Sequence, residues 1–332
     1  MSISSRFRSF FSKSDANGPQ RRKVVYSVFV TANQATSANL ILPIPPKTTT
    51  QMIENEPVFS IPPTTIATEN KYGNRYAVWS LDLSAKQTKE IKMSLGITIA
   101  PVQLTDALKS IDLSSDYTSD EAKKYLTGNR YIEPTDSRIK EIASEIVTKN
   151  KTLATVVNAC NDHVVKTLKY GNPIPGLYSA SQALSEPLVD CGGYDTLLVS
   201  LLNACGVPAR IVSGFWLSTP QQLSVIGYWL SVTPEMHAWV EILLPDGSWL
   251  PADPSVEQLR KQKRSKKIGA LGKIGSDRII ASFGCDMLIQ VGGRTTPIGI
   301  LQTPTIHPNN SNINLAYSVS ASHLAPFNPS NS

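Results

Sequence analysis

Cys191, His237 and Asp253 each sit in the local setting that nucleophilic chemistry requires. Cys191 lies in Leu188-Val189-Asp190-Cys191-Gly192-Gly193-Tyr194, and His237 opens the run His237-Ala238-Trp239-Val240-Glu241-Ile242. Asp253 closes Trp249-Leu250-Pro251-Ala252-Asp253-Pro254. A thiol, an imidazole and a carboxylate are a nucleophile, its general base and the group that orients the base. A thiol reacts as its thiolate, so its surroundings decide whether it reacts at all.

The elements that must position these groups are legible around them. Leu197, Leu198, Leu201 and Leu202 recur at helical spacing after Asp190, which predicts a helix over 191–205. Gly206 suits the left-handed position past its end, and Pro208 prevents continuation. Cys191 then stands where unpaired N–H groups and the positive end of the helix dipole favour an anion. The same N–H groups can hold an oxyanion. Asp190 opposes a thiolate, so a charged His237 has to offset it. Further on, His237 leads an alternating run into Leu243-Leu244-Pro245-Asp246-Gly247-Ser248-Trp249, which predicts a strand, a turn and a returning strand. That hairpin carries Asp253 back beside His237. Alone, an Asp before proline is a turn cap; the hairpin makes it the orienter of the imidazole.

The other cysteines and histidines read as structural. Cys205 falls in the last turn of the nucleophile helix, about 21 Å from Cys191, against a limit near 7 Å for a disulfide. Cys160 lies in an amphipathic helical segment, and Cys285 also reads as core. His163 reads as a helix-surface residue, whereas His307 and His323 fall in a polar C-terminal stretch. Zinc at Cys191, His237 and Asp253 is a weaker reading, because no short paired ligand spacing occurs. No metal or cofactor is expected.

The pattern resembles the transglutaminase-like superfamily, whose catalytic core is papain-like. The resemblance rests on Asp190-Cys191-Gly192, on Ala204-Cys205-Gly206-Val207-Pro208-Ala209-Arg210 running into Ile211-Val212-Ser213-Gly214-Phe215, on His237-Ala238-Trp239-Val240-Glu241, and on Trp249-Leu250-Pro251-Ala252-Asp253-Pro254-Ser255. It extends upstream through Tyr125-Leu126-Thr127 to Leu168-Lys169-Tyr170 and covers roughly residues 120–290. It implies an α+β catalytic domain with Cys191 as nucleophile, His237 as base and acid, and Asp253 as orienter. Three positions depart from the superfamily's habit: Val189 where glycine often stands, Gly193 where a polar residue is common, and Cys285 near where an arginine is frequent. For an oxyanion donor beyond the helix, Gln182 and Tyr178 are the candidates at hand. The implied chemistry is acyl transfer through a Cys191 thioester, with a peptidase or amidase favoured. A protein-glutamine gamma-glutamyltransferase using an amine acceptor and a silent protein-binding module are the alternatives. The implied partner is a protein or peptide substrate.

At 332 residues and 41% hydrophobic, the chain can bury two cores. Runs over Val24–Thr31, Asn39–Leu42, Tyr76–Leu83 and Glu90–Ile99, punctuated by prolines, predict a β-sandwich over 23–102. Such a segment resembles the N-terminal β domain of many bacterial and archaeal transglutaminase-like proteins. The expected organisation is a basic leader (1–22), the sandwich, a connector (103–135), the catalytic domain (136–303) and a flexible tail (304–332). Helices are expected at 120–126, 136–149 and 152–169, and strands at 209–217, 237–244, 248–252 and 279–291. The insertion 218–236, with Tyr228 and Trp229, is either packed surface or a wall of the cleft. No run of 18 apolar residues occurs and no secretory signal is recognised, so a cytoplasmic location is expected. Much of the net charge of +6 comes from the leader and from Arg260-Lys261-Gln262-Lys263-Arg264-Ser265-Lys266-Lys267. Without interleaved aromatics, that run does not predict nucleic-acid binding.

Overall fold

The computed structural model describes residues 18–103, 117, 119–217 and 235–324. Expectations for the first 17 residues, for most of the 218–236 insertion and for the last residues of the tail lie outside the described residues.

Alternation builds the first unit. In strand Gln20–Ala32, Val24, Tyr26, Val28 and Val30 are fully buried while Phe29, between them, is exposed, the period-2 signature of a sheet with one face in a core. This strand sits between Thr88–Ile99 and Ile313–His323 in a five-stranded antiparallel sheet completed by Gln51–Ile53 and Val58–Phe59. A second sheet, in the order Thr305–His307, Thr36–Ile44, Arg75–Leu83, Thr65–Thr68, packs against it. Leu40, Leu42, Trp79, Ile91, Met93 and Ile97 fill the space between. The result is a β-sandwich.

Two boundaries differ from expectation. Residues 20–22 open the first strand rather than ending a leader, and Arg21 pairs with Glu54 at 2.7 Å. The segment after Pro304 supplies a strand to each sheet, with Ile313–His323 paired along Gln20–Ala32 from Ile313 opposite Ala32 to His323 opposite Arg22. Its apolar residues, Ile313, Leu315, Tyr317, Val319 and Ala321, alternate and pack on the sandwich core. Asn, Ser and Pro dominate the composition there, and they mask a period that is present. His307 accordingly lies in a strand, with Nε2 3.3 Å from Thr296 Oγ1.

The α+β unit lies in sequence between the strands of that sandwich. Helices Asp120–Leu126, Ser137–Lys149, Leu153–Thr167, Cys191–Ala204 and Pro254–Lys261 accompany an antiparallel sheet ordered Trp249–Ala252, Met236–Leu243, Ala209–Trp216, Arg278–Phe283. Cys191–Ala204 is the central helix: residues 192–203 are all buried. It ends as expected, with Gly206 at φ 80 and Val207 N–H donating to Leu202 at 2.8 Å, the Schellman arrangement. Cys160 and Cys205 meet in this core with sulfurs 3.8 Å apart, unbonded. His163 is partly buried and its pKa is lowered by that burial. The strand expected at 279–291 is two, Arg278–Phe283 and Met287–Val291, separated by left-handed Gly284 and Asp286. The second leaves the sheet to form a hairpin with Arg294–Ile298.

Candidate active site

The nucleophile position follows from helix capping. Asp190 is the N-cap of Cys191–Ala204 and its carboxylate accepts from the Gly193 N–H at 3.3 Å. Its other oxygen accepts from Ile174 N–H at 3.2 Å. The Gly192 N–H also turns toward Asp190. Cys191 is half-buried, and the backbone N–H of Ala238, the residue after His237, favours its thiolate.

Two departures from the superfamily's habit explain each other. A side chain at Gly193 would meet Val189 Cβ at 2.7 Å, and Val189 is buried at 1% exposure. The valine occupies the space that a residue larger than glycine at 193 would need. The third departure, Cys285, is buried and bonded to Asn129, away from the thiol.

The strand register brings imidazole and carboxylate together. Val240 pairs with Ala252, so Asp253 arrives beside the Met236–Leu243 strand, and His237 Nε2 lies 2.9 Å from Asp253 Oδ2. Asp253 is fully buried and fully used. Oδ1 accepts from Val256 N–H at 3.1 Å and Ser255 Oγ at 3.2 Å, which makes Asp253 the N-cap of Pro254–Lys261. Oδ2 also accepts from Arg278 Nη1 at 2.5 Å. Burial alone raises a carboxyl, but the charges of His237 and Arg278 prevail and hold Asp253 below the usual carboxylate range. The close approach extends to Gly269, where a Cβ would stand 2.7 Å from Oδ2.

Aromatic rings seal this pair. His237 stacks on Trp216 with centroids 4.6 Å apart and lies 6.0 Å from Trp239. Arg278 covers Trp216 at 3.9 Å and donates to the Ile268 carbonyl. A hydrogen-bonded ion cluster under such rings is shielded from water, which strengthens each contact. Buried Gln302 donates to the His237 carbonyl at 3.0 Å and the Gly214 carbonyl at 2.7 Å, which fixes the strand start.

One carboxyl of the neighbourhood has none of this support. Asp195 lies one helical turn beyond Cys191 at 0% exposure, and neither oxygen has a hydrogen-bond partner among the described residues. Burial, with Asp253 and Asp190 nearby, pushes its pKa well up. Burial, Asp195 and Asp190 likewise push the Cys191 thiol up, against the single opposing effect of the Ala238 N–H. Burial and these carboxyls thus oppose the thiolate that a helix start by itself favours.

Imidazole and carboxylate are thus bonded, and the Asp253 charge and the Ala238 N–H both act on the Cys191 thiol. Arg278, Trp216 and Asp195 are site features that sequence reasoning did not identify. Arg278 had a faint signal, a lone cation heading the apolar run Ile279-Ile280-Ala281. The oxyanion candidates found other uses: Tyr178 donates to the Asn172 carbonyl, and Gln182 completes a capping box with Ser179.

Residues 140–254 match the family model described as the transglutaminase-like superfamily. A protein-glutamine gamma-glutamyltransferase of Pseudomonas aeruginosa is 35% identical over 68 residues, which are 20% of this chain and 10% of that one. The aligned stretch thus spans a tenth of that relative's length. A solved structure from Cytophaga hutchinsonii, provisionally named a cysteine protease, covers 93% of both chains at 14% identity with a TM-score of 0.57. Its likeness is one of fold, and it takes in both the sandwich and the α+β unit. The periplasmic domain of TgpA from Pseudomonas aeruginosa covers 79% of this chain and 97% of its own at 14% identity and a TM-score of 0.35.

Proposed function

Residues 140–254 belong to the transglutaminase-like superfamily, and from that premise we propose that the chain is a cysteine peptidase or amidase acting through a Cys191 thioester. The observation that carries the reading is the His237–Asp253 contact of 2.9 Å beside a helix-start thiol. Asp253 commits Nε2 of His237, so the proton leaving Cys191 goes to Nδ1. The sulfur then attacks an amide carbonyl, and the Cys191 N–H receives the oxyanion. His237 returns the proton to the departing amine, and the C–N bond breaks as the thioester forms. His237 next takes a proton from water, which attacks the thioester and releases the acid and the thiol. Because burial and neighbouring carboxyls oppose the thiolate, base catalysis by His237 is what generates it.

Hydrolysis is favoured over amine transfer by the likeness along the whole chain to a structure named for proteolysis. The location proposed is cytoplasmic, supported by cysteines that are all unpaired; no helix among the described residues is long and apolar enough to cross a membrane. The test is incubation with a glutamine peptide and a fluorescent amine, following ammonia release, peptide cleavage and amine incorporation. Cleavage or ammonia release without incorporation is expected. Dominant incorporation would make the protein a transferase, and no turnover at all would leave a binding module.

A further inference from the structure

The segment 254–269 leaves the site at Asp253 and returns to it. Its helix Pro254–Lys261 is capped by Asp253, the Ile268 carbonyl accepts from Arg278, and Gly269 abuts Asp253 Oδ2. Between these anchors run six cations. Lys261 pairs with Glu257 at 2.7 Å, and Lys267 pairs with Glu235 at 2.5 Å. Arg260, Lys263, Arg264 and Lys266 are exposed and face no carboxylate among the described residues.

Helix-end electrostatics accounts for only part of this. Cations in the last turn, Arg260 and Lys261, complement the carbonyl end of the helix. Lys263, Arg264 and Lys266 lie beyond it. The helix closes by a Schellman turn, with Lys263 N–H donating to Arg260 and Arg264 N–H to Leu259. That turn puts the residue after the cap in left-handed backbone, where glycine is the unstrained choice. Here the residue is Lys263, at φ 59.

The run also reaches the catalytic rings. Lys267 Nζ stands 4.1 Å over Trp216, and Trp216 stacks on His237. Arg264 acts electrostatically on Tyr194, three residues after the nucleophile. The run therefore borders the site through Lys267 at the Trp216 rim, and the unpaired Arg264 acts on the nucleophile helix at Tyr194. We propose that Lys263, Arg264 and Lys266 dock an acidic segment of the peptide substrate beside the amide presented to Cys191, an inference that rests on the reading of Cys191 as an acyl-transfer nucleophile. Unpaired like charges at a site mouth raise the local concentration of an oppositely charged ligand in a salt-dependent way. A nucleic acid fits less well, since one face of the Trp216 ring is taken by His237 and cations cover the ring, leaving no stacking platform. An anionic membrane fits less well too, because the exposed positions at 260–266 are all polar or charged.

The test uses the full chain with Cys191→Ala and two fluorescent glutamine peptides, one flanked by Glu and Asp, the other by Gln and Asn. Anisotropy at about 10 mM salt should show the acidic peptide binding roughly tenfold tighter, with the difference fading at about 150 mM. The triple variant Lys263→Glu, Arg264→Glu, Lys266→Glu should lose the preference, while Cys191 in that variant on the wild-type background keeps its alkylation rate. Equal binding of the two peptides overturns the proposal, as does tighter binding of an oligothymidylate or of phosphatidylglycerol vesicles. The two readings fail separately. Acidic-peptide binding with no turnover of any amide by the wild-type chain sinks the catalytic reading alone. Turnover indifferent to peptide charge, with equal binding, sinks the docking alone.

Discussion

Asp253 and Asp195 are both carboxyls at 0% exposure, close enough to influence each other, and they are opposites. Asp253 accepts from His237, Arg278, Ser255 and Val256, and its pKa is pulled down. Asp195 accepts from nothing among the described residues, and its pKa is pushed up. On the neighbouring sheet, Ser213 and Ser282, paired across adjacent strands, also bury hydroxyls without a partner. Depth in the protein is the same for both acids, so depth does not decide charge. Partners decide it: donors and a cation that replace its water lower a buried carboxyl's pKa, and without them burial raises it.

The largest effects that test this contrast are kinetic. Cys191→Ala and His237→Ala should each abolish measurable turnover in the glutamine-peptide assay while the fold persists. Asp253→Asn should lower kcat by roughly 10²–10⁴, because an amide neither stabilises the charged ring nor fixes its tautomer. Groups acting as one unit are not additive. His237→Ala combined with Asp253→Asn should therefore be little worse than His237→Ala alone; independent, multiplying losses would separate Asp253 from the imidazole.

Stability comes next, and the two aspartates should move it in opposite directions. Asp253→Ala strands Arg278, at 1% side-chain exposure, without its anion. A loss of about 3–5 kcal/mol in urea unfolding is expected. Asp195→Ala removes an acid with no hydrogen bond to lose, and should stabilise by about 1 kcal/mol, or roughly 2–4 °C in Tm. A destabilised Asp195→Ala protein would mean that its carboxyl has a partner after all.

A third test reads the thiol. Asp195 is the foremost charge opposing the Cys191 thiolate. Asp195→Asn should lower the pH midpoint for iodoacetamide labelling of Cys191 by about one unit, or roughly tenfold in rate near neutral pH. Peptide mass spectrometry should show Cys160, Cys205 and Cys285, all buried, labelling more slowly in both proteins. Superimposable profiles would remove Asp195 from the thiol's electrostatics.

The smallest expected effect is on the pH dependence of stability. A raised carboxyl holds its proton in the folded state after the unfolded chain has released it. Asp195 therefore favours the fold below the unfolded value near about 4, and that contribution is lost as pH rises through the raised folded value. Asp253 has the reverse sign: its contribution is present above about 4 and is lost as pH falls through the depressed folded value. Asp195→Asn should flatten the fall in stability above pH 4 and leave the acid limb in place. An unchanged slope on both sides would contradict the raised carboxyl.

Local chemistry determined much of this protein from the sequence alone. The Asp190 cap, the leucine spacing and Gly206 specify the nucleophile helix within one residue of its observed end. Alternation specifies the early sandwich strands and the His237 hairpin, because a period of two or 3.6 is a property of neighbours in the chain. The same argument reached Cys191, His237 and Asp253, each of which sits at the end or start of such an element. The strand Ile313–His323 carries the same alternation, Ile313, Leu315, Tyr317, Val319 and Ala321, beneath a polar composition. Only the tertiary structure could supply the partners. Arg278 reaches Asp253 across 25 positions, Trp216 meets His237 from the neighbouring strand, and Asp195 feels Asp253 from a distant part of the chain. No local period encodes such meetings, yet they are what pull the pKa of one buried aspartate down and push that of the other up. Whether a residue is buried is written in its immediate neighbours, but what it is buried against depends on how distant strands pair.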